Sequence, residues 1–72
     1  MSWLDSYSEA LGLDAMSGPD IEAILDLARE VAHGSERKNA PPAAYLAALF
    51  VASGQGDVEE AITRAKRLLD SK

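Results

Sequence analysis

Three side chains in the middle of the chain have the chemistry to bind an anion. His33, Arg37 and Lys38 lie close together in the sequence, just before the paired prolines Pro41 and Pro42. The start of a helix with basic side chains beside it can hold a phosphate group. The pattern therefore indicates a candidate site for a small phosphorylated ligand, such as a nucleotide or a pterin phosphate, at residues 33–42.

The same residues also have a simpler interpretation. His33 would end a helix, where a cation stabilises the last carbonyls and the helix dipole. Pro41 and Pro42 lack the backbone N–H groups that a phosphate site at a helix start uses, and no glycine-rich loop lies nearby. A solvated basic loop is the favoured interpretation, and ligand binding is the alternative.

A second group of charged residues is acidic. Glu22, Asp26 and Glu30 recur at steps of four, which places them on one face of a helix. That stripe could contact a basic partner protein or simply face water. Nothing in the pattern indicates the burial that acid–base catalysis by carboxylates needs. With one histidine, no cysteine and no nucleophile–base pair, the sequence predicts neither an enzyme nor a metal site.

Length and charge restrict the partners. The chain has 72 residues and a net charge of −5, and residues 1–30 hold seven acids against one base. An acidic protein repels phosphate backbones, so nucleic acid is not the expected partner. The longest apolar run, residues 43–52, is shorter than the ~20 residues that span a bilayer. Asp5 interrupts the start before a secretory leader could form, so we expect a cytoplasmic protein.

The local signals predict an all-α, four-helix bundle-like single domain over residues 1–72. Ser2 and Asp5 have the spacing of a capping box, Pro19 suits a first helical turn, and Asp57 and Glu60 mark the last helix start. Glycines follow the apolar stripes and end the helices. The predicted helices cover, approximately, residues 3–11, 19–33, 42–53 and 58–70.

The third predicted helix is apolar all round. Its alanines favour helix over strand, and a helix without a polar face must be covered by its surroundings. We therefore expect the third helix to be the most buried element, with its bulk supplied by Tyr45, Leu46, Leu49 and Phe50. Trp3 and Tyr7 are expected in the core as well. Should they prove exposed, they would form an aromatic docking surface.

Several short motifs carry a family resemblance. Residues 27–34 read Leu-Ala-Arg-Glu-Val-Ala-His-Gly, followed by Arg37, Ala40-Pro41 and Tyr45-Leu46, and Trp3-Leu4 stands near the start. Together they resemble an uncharacterised family of small helical domains from actinobacteria. Its members are free-standing or attached C-terminally to molybdopterin-guanine dinucleotide nucleotidyltransferases.

The resemblance implies a role in molybdenum cofactor biosynthesis. It suggests a non-enzymatic accessory or protein-interaction domain whose partner is the nucleotidyltransferase or another protein of that pathway. The chain has no glycine-rich nucleotide loop after a strand, so the nucleotidyltransferase itself is not encoded here. Binding of a phosphorylated ligand by His33, Arg37 and Lys38 remains the alternative function.

Overall fold

The computed structural model describes residues 2–71, and within that range it contains helices and no strand. The α-helices are α1 (Trp3–Ala10), α2 (Gly18–Gly34), α3 (Ala40–Ala52) and α4 (Val58–Asp70), and a single 3₁₀ turn (Arg37–Asn39) leads into α3. The predicted all-helical class and the four helices are confirmed.

Side-chain caps fix the starts of α1, α2 and α4. Ser2 and Asp5 form the predicted capping box of α1, and the Asp57 carboxylate accepts the Glu60 N–H at 2.9 Å. The cap of α2 is Ser17, whose hydroxyl accepts the Asp20 N–H at 3.1 Å, so α2 starts one residue earlier than expected. Each cap satisfies a donor that the helix itself leaves open.

The core is built on α2. This helix packs against both α3 and α4, which also contact each other. The buried hydrophobic residues of the described chain are Leu27 and Val31 on α2, Ala47 on α3 and Ile62 on α4. Gly34 of α2 lies against Leu69 of α4: a Cβ there would stand 2.9 Å from a methyl carbon of Leu69, and that side chain would have to shift.

The expected burial of α3 is not confirmed. Only Ala47 of α3 is buried, whereas Tyr45, Leu46 and Leu49 are exposed and Phe50 is partly buried. The reason is geometric: α2 and α4 cover one side of α3, and no other helix of the described chain covers the rest.

The expectation that Trp3 and Tyr7 belong to the core is wrong. α1 contacts none of the other helices, Trp3 is 73% exposed and Tyr7 is 50% exposed. The two rings stack on each other with centroids 5.2 Å apart. The molecule is accordingly elongated, at 39 × 25 × 18 Å, with a three-helix core and a separate α1.

Replacing a core leucine tests this arrangement. Leu27 is 2% exposed and Leu25, two residues earlier on the same helix, is 55% exposed. Leu27→Ala is expected to lower the free energy of unfolding by ~2–5 kcal/mol, because it removes buried methyl groups and leaves a cavity. Leu25→Ala should change it by less than ~0.5 kcal/mol. Urea titrations followed by circular dichroism measure both, and equal losses would contradict the assigned core.

Candidate interaction surface

The side of α3 that faces away from the core is apolar and exposed. Tyr45 and Leu49, one turn apart, lie opposite the buried Ala47, and Tyr45 is 66% exposed. We call Tyr45 and Leu49, with Ala48 and Ala52 beside them, the outer face of α3. Single exposed apolar residues are normal, but a contiguous group on one helix marks a contact surface.

A groove opens beside this face, between α3 and α4. Its volume is about 710 Å³, and the core residues Leu27, Val31 and Ala47 form its floor. We call this feature the apolar groove; its walls include Leu46 and Phe50 of α3 and Ala65, Leu68 and Leu69 of α4. Leu68, at 71% exposed, stands at its edge.

One charged side chain lines the apolar groove. The guanidinium carbon of Arg64 lies 5.0 Å from the centroid of the Phe50 ring, within the range of a cation–π contact. Its Nε also lies 3.3 Å from Glu60 Oε2, an i, i+4 ion pair along α4. The charged guanidinium of Arg64 thus lies between the Phe50 ring and the Glu60 carboxylate, at the groove.

The structure does not gather the predicted anion site into a pocket. His33, Arg37 and Lys38 are all exposed, and none of them lines the apolar groove. The Lys38 Nζ lies 3.5 Å from a carboxylate oxygen of Glu36. Pro41 and Pro42 occupy the first turn of α3, so the N–H donors they lack are missing where a phosphate would bind.

The predicted acidic stripe is divided between two roles. Asp26 faces α4, and its carboxylate lies 3.4 Å from Lys66 Nζ and 3.8 Å from Arg29. Glu22 and Glu30 are exposed. Asp26 therefore joins α2 to α4 by a surface ion pair, while its two neighbours remain available to a partner.

Residues 2–71 were expected to hold no metal site and no membrane span. No group of three or more histidine, cysteine or acidic side chains in that range could hold a metal ion. No helix there is both long enough and apolar enough to cross a membrane.

Comparison with protein families places the chain. The model of one family, described as a domain of unknown function (DUF6457), matches residues 1–72. The chain belongs to the DUF6457 family. No curated protein and no solved structure gives a significant match. Membership of DUF6457 agrees with the expected small uncharacterised domain and assigns no activity.

Sequence reasoning missed both the outer face of α3 and the apolar groove. The stripes of α1, α2 and α4 looked sufficient to enclose α3, and nothing local shows that α1 stays apart. One signal was present: α1 ends at Ala10 and has only eight residues, which makes it the weakest candidate for a packed helix.

Exposure of α1 is testable through Trp3, the single tryptophan of the chain. In dilute solution, acrylamide should quench its fluorescence nearly as well as that of N-acetyl-tryptophanamide, because the ring is open to water. Unfolding in urea should then change the quenching constant little. A folded protein whose tryptophan is shielded at high dilution would contradict the placement of α1.

Proposed function

We propose that this domain is a non-enzymatic protein-interaction module that binds its partner through the outer face of α3. The observation that carries the proposal is the exposure of Tyr45 and Leu49 on a helix with no polar face. Tyrosine is enriched among the residues that dominate binding energy. Packing on α2 and α4 holds the helix in place, so little order has to be gained on binding.

The expected partner surface follows from this chemistry. A ridge formed by one tyrosine and one leucine, one helical turn apart, fits a shallow apolar depression or the apolar face of another helix. Since no charged residue lies between Tyr45 and Ala52, the centre of the partner surface is apolar too. Charged contacts belong at the rim of such an interface. Glu22 and Glu30, on the acidic stripe of α2, form a separate surface that a basic partner could contact.

For the pathway, the proposal relies on the family resemblance. The motifs around residues 27–46 resemble the actinobacterial domains linked to molybdopterin-guanine dinucleotide nucleotidyltransferases. We therefore propose a cytoplasmic accessory role in molybdenum cofactor biosynthesis, with the nucleotidyltransferase as the first partner to test. The small size of the domain and its DUF6457 membership are compatible with this role.

Phosphorylated-ligand binding at residues 33–42 remains a separate hypothesis that no structural observation favours over protein binding. His33, Arg37 and Lys38 would contribute charge only, because they line no cavity. Titration of GTP into isotope-labelled protein distinguishes the two functions. Saturable amide shifts confined to residues 33–42 would support ligand binding. Unchanged spectra would reject ligand binding there, and protein binding would remain the proposed function.

A pull-down with the nucleotidyltransferase tests the proposed surface. Tyr45→Glu and Leu49→Glu should each reduce recovery at least about tenfold, because each places a charge in an apolar contact. Leu25→Glu is the matched control: it makes the same change at an exposed leucine of α2 and should leave recovery unaltered.

Two further variants separate the charged surfaces from the apolar one. Glu22→Lys tests the acidic stripe, and Arg37→Glu tests the basic loop. Loss of the partner in these variants, with full recovery by Tyr45→Glu, would show that the binding surface is charged and would overturn the assignment to α3. Absence of binding by the unaltered chain would reject the nucleotidyltransferase as the partner.

A further inference from the structure

α1 is a complete helix that packs against no other helix of the described chain. Helices shorter than ~12–15 residues are marginal in water unless an apolar face is packed. α1 has eight residues and contacts no other helix of its chain. Its caps account for its ends but not for its apolar stripe. That stripe consists of Trp3, Leu4, Tyr7 and Leu11, all exposed.

No helix of the described chain covers the apolar groove. Its floor reaches the core, its walls are leucine, phenylalanine and alanine side chains, and Leu46 and Leu68 stand open to water at its edges. An apolar groove is a common receptor for a short amphipathic helix, which inserts residues spaced at i, i+3, i+4 and i+7. Leu4, Tyr7 and Leu11 have the i, i+3 and i+7 spacing, and Trp3 precedes Tyr7 by four residues.

The charges of the two surfaces are complementary. α1 and the segment that follows it, residues 2–17, carry three acidic residues and no basic one, namely Asp5, Glu9 and Asp14. Among the described residues, the one charged side chain that lines the groove is Arg64, which also pairs with Glu60. The charge in the groove is thus opposite in sign to the net charge of α1 and the segment that follows it.

We propose that the occupant of the apolar groove is α1 of a second copy of this chain, so that two chains exchange their first helices. The connection within one chain leaves little slack for self-docking. The Leu13 N–H donates to the Ser8 carbonyl at 2.9 Å, and Ser17 caps α2. Residues 14–16 are left to extend, which gives roughly 14 Å between Leu13 and Ser17.

That length is about the distance that the connection would have to cover. Leu27 marks the near end of the groove and lies ten residues along α2 from Ser17, roughly 15 Å at the helical rise. Self-docking therefore needs a straightened connection or the loss of a helix cap. Exchange with a second copy needs neither, and short connections are known to favour such exchange.

The exchanged surface is large enough for a stable pair. An aromatic side chain that is fully buried removes ~150–250 Å² from water. Because Trp3 is 73% and Tyr7 50% exposed before association, the four rings of a pair remove roughly 370–620 Å². A similar area of covered groove and the leucines of α1 add to this, which brings the total near the lower end of the ~1,200–2,000 Å² found in stable interfaces.

Sedimentation of the full chain over a range of concentrations tests the exchange. The mass should rise from 7.7 kDa to twice that value, and the Trp3 emission should move to shorter wavelength in the same range. Tyr7→Lys on α1 and Leu68→Glu on the groove should each raise the concentration of half-association at least about tenfold. The control variant Leu25→Glu should associate like the unaltered chain.

Mixing the two defective variants shows whether the contact joins different chains. Leu68→Glu retains an intact α1, and Tyr7→Lys retains an intact groove. An equimolar mixture should therefore form a mixed dimer at concentrations where each variant alone stays monomeric. Circular dichroism of each variant checks that α2, α3 and α4 remain folded.

Three results would overturn the exchange. One is a mass of 7.7 kDa at every concentration; another is a dimer that neither variant weakens. The third is a mixture that stays monomeric, which would mean that α1 docks within its own chain or not at all. Loss of the dimer in Tyr45→Glu alone would assign self-association to the outer face of α3. The exchange uses a different surface from the proposed partner contact, so failure of either leaves the other standing.

Discussion

The structure depends on a mismatch between α3 and the helices that surround it. α3 is apolar on every side, so exposing any side of it to water is unfavourable. In the described chain, two helices, α2 and α4, touch it. These two neighbours leave one part of α3 exposed, including Tyr45 and Leu49.

This constraint orders the rest of the molecule. α2 is the central helix because it packs against both α3 and α4. It supplies Leu27 and Val31 to the core, in which four residues of the described chain are buried. So small a core supplies little stability. The uncovered surface then divides into a ridge, the outer face of α3, and a depression, the apolar groove. A ridge suits contact with another protein, and a depression suits an inserted helix.

The sequence predicted the elements well because helix ends are local events. The box formed by Ser2 and Asp5, the Asp57 cap and the Glu60–Arg64 pair all depend on residues within four positions of each other. Periodicity also showed correctly that α1 has an apolar stripe. It could not show what that stripe meets, because contact between distant elements depends on connection lengths and on the competing surfaces of α2 and α4.

The candidate sites failed to follow from sequence for the same reason. His33, Arg37 and Lys38 are neighbours along the chain, yet a ligand site also needs walls, and the turn that carries them lies on the surface. Asp26 belongs to a regular acidic stripe, but α4 places Lys66 beside its carboxylate. Asp26 is therefore partly buried, whereas Glu22 and Glu30 are exposed. Conversely, Tyr45 and Leu49 were expected in the core, because a helix that is apolar all round is normally buried.

Amide hydrogen exchange of the intact chain, at a concentration where it is monomeric, tests most directly whether α1 lies outside the core. The amides near Leu27 and Val31 should exchange slowest, since they open only when the three-helix core unfolds. The amides of α1 should exchange orders of magnitude faster, because no other helix of residues 2–71 packs against that helix. Equal protection of α1 and α2 in the monomer would mean that α1 is packed on α3 after all, and the uncovered surface would not exist.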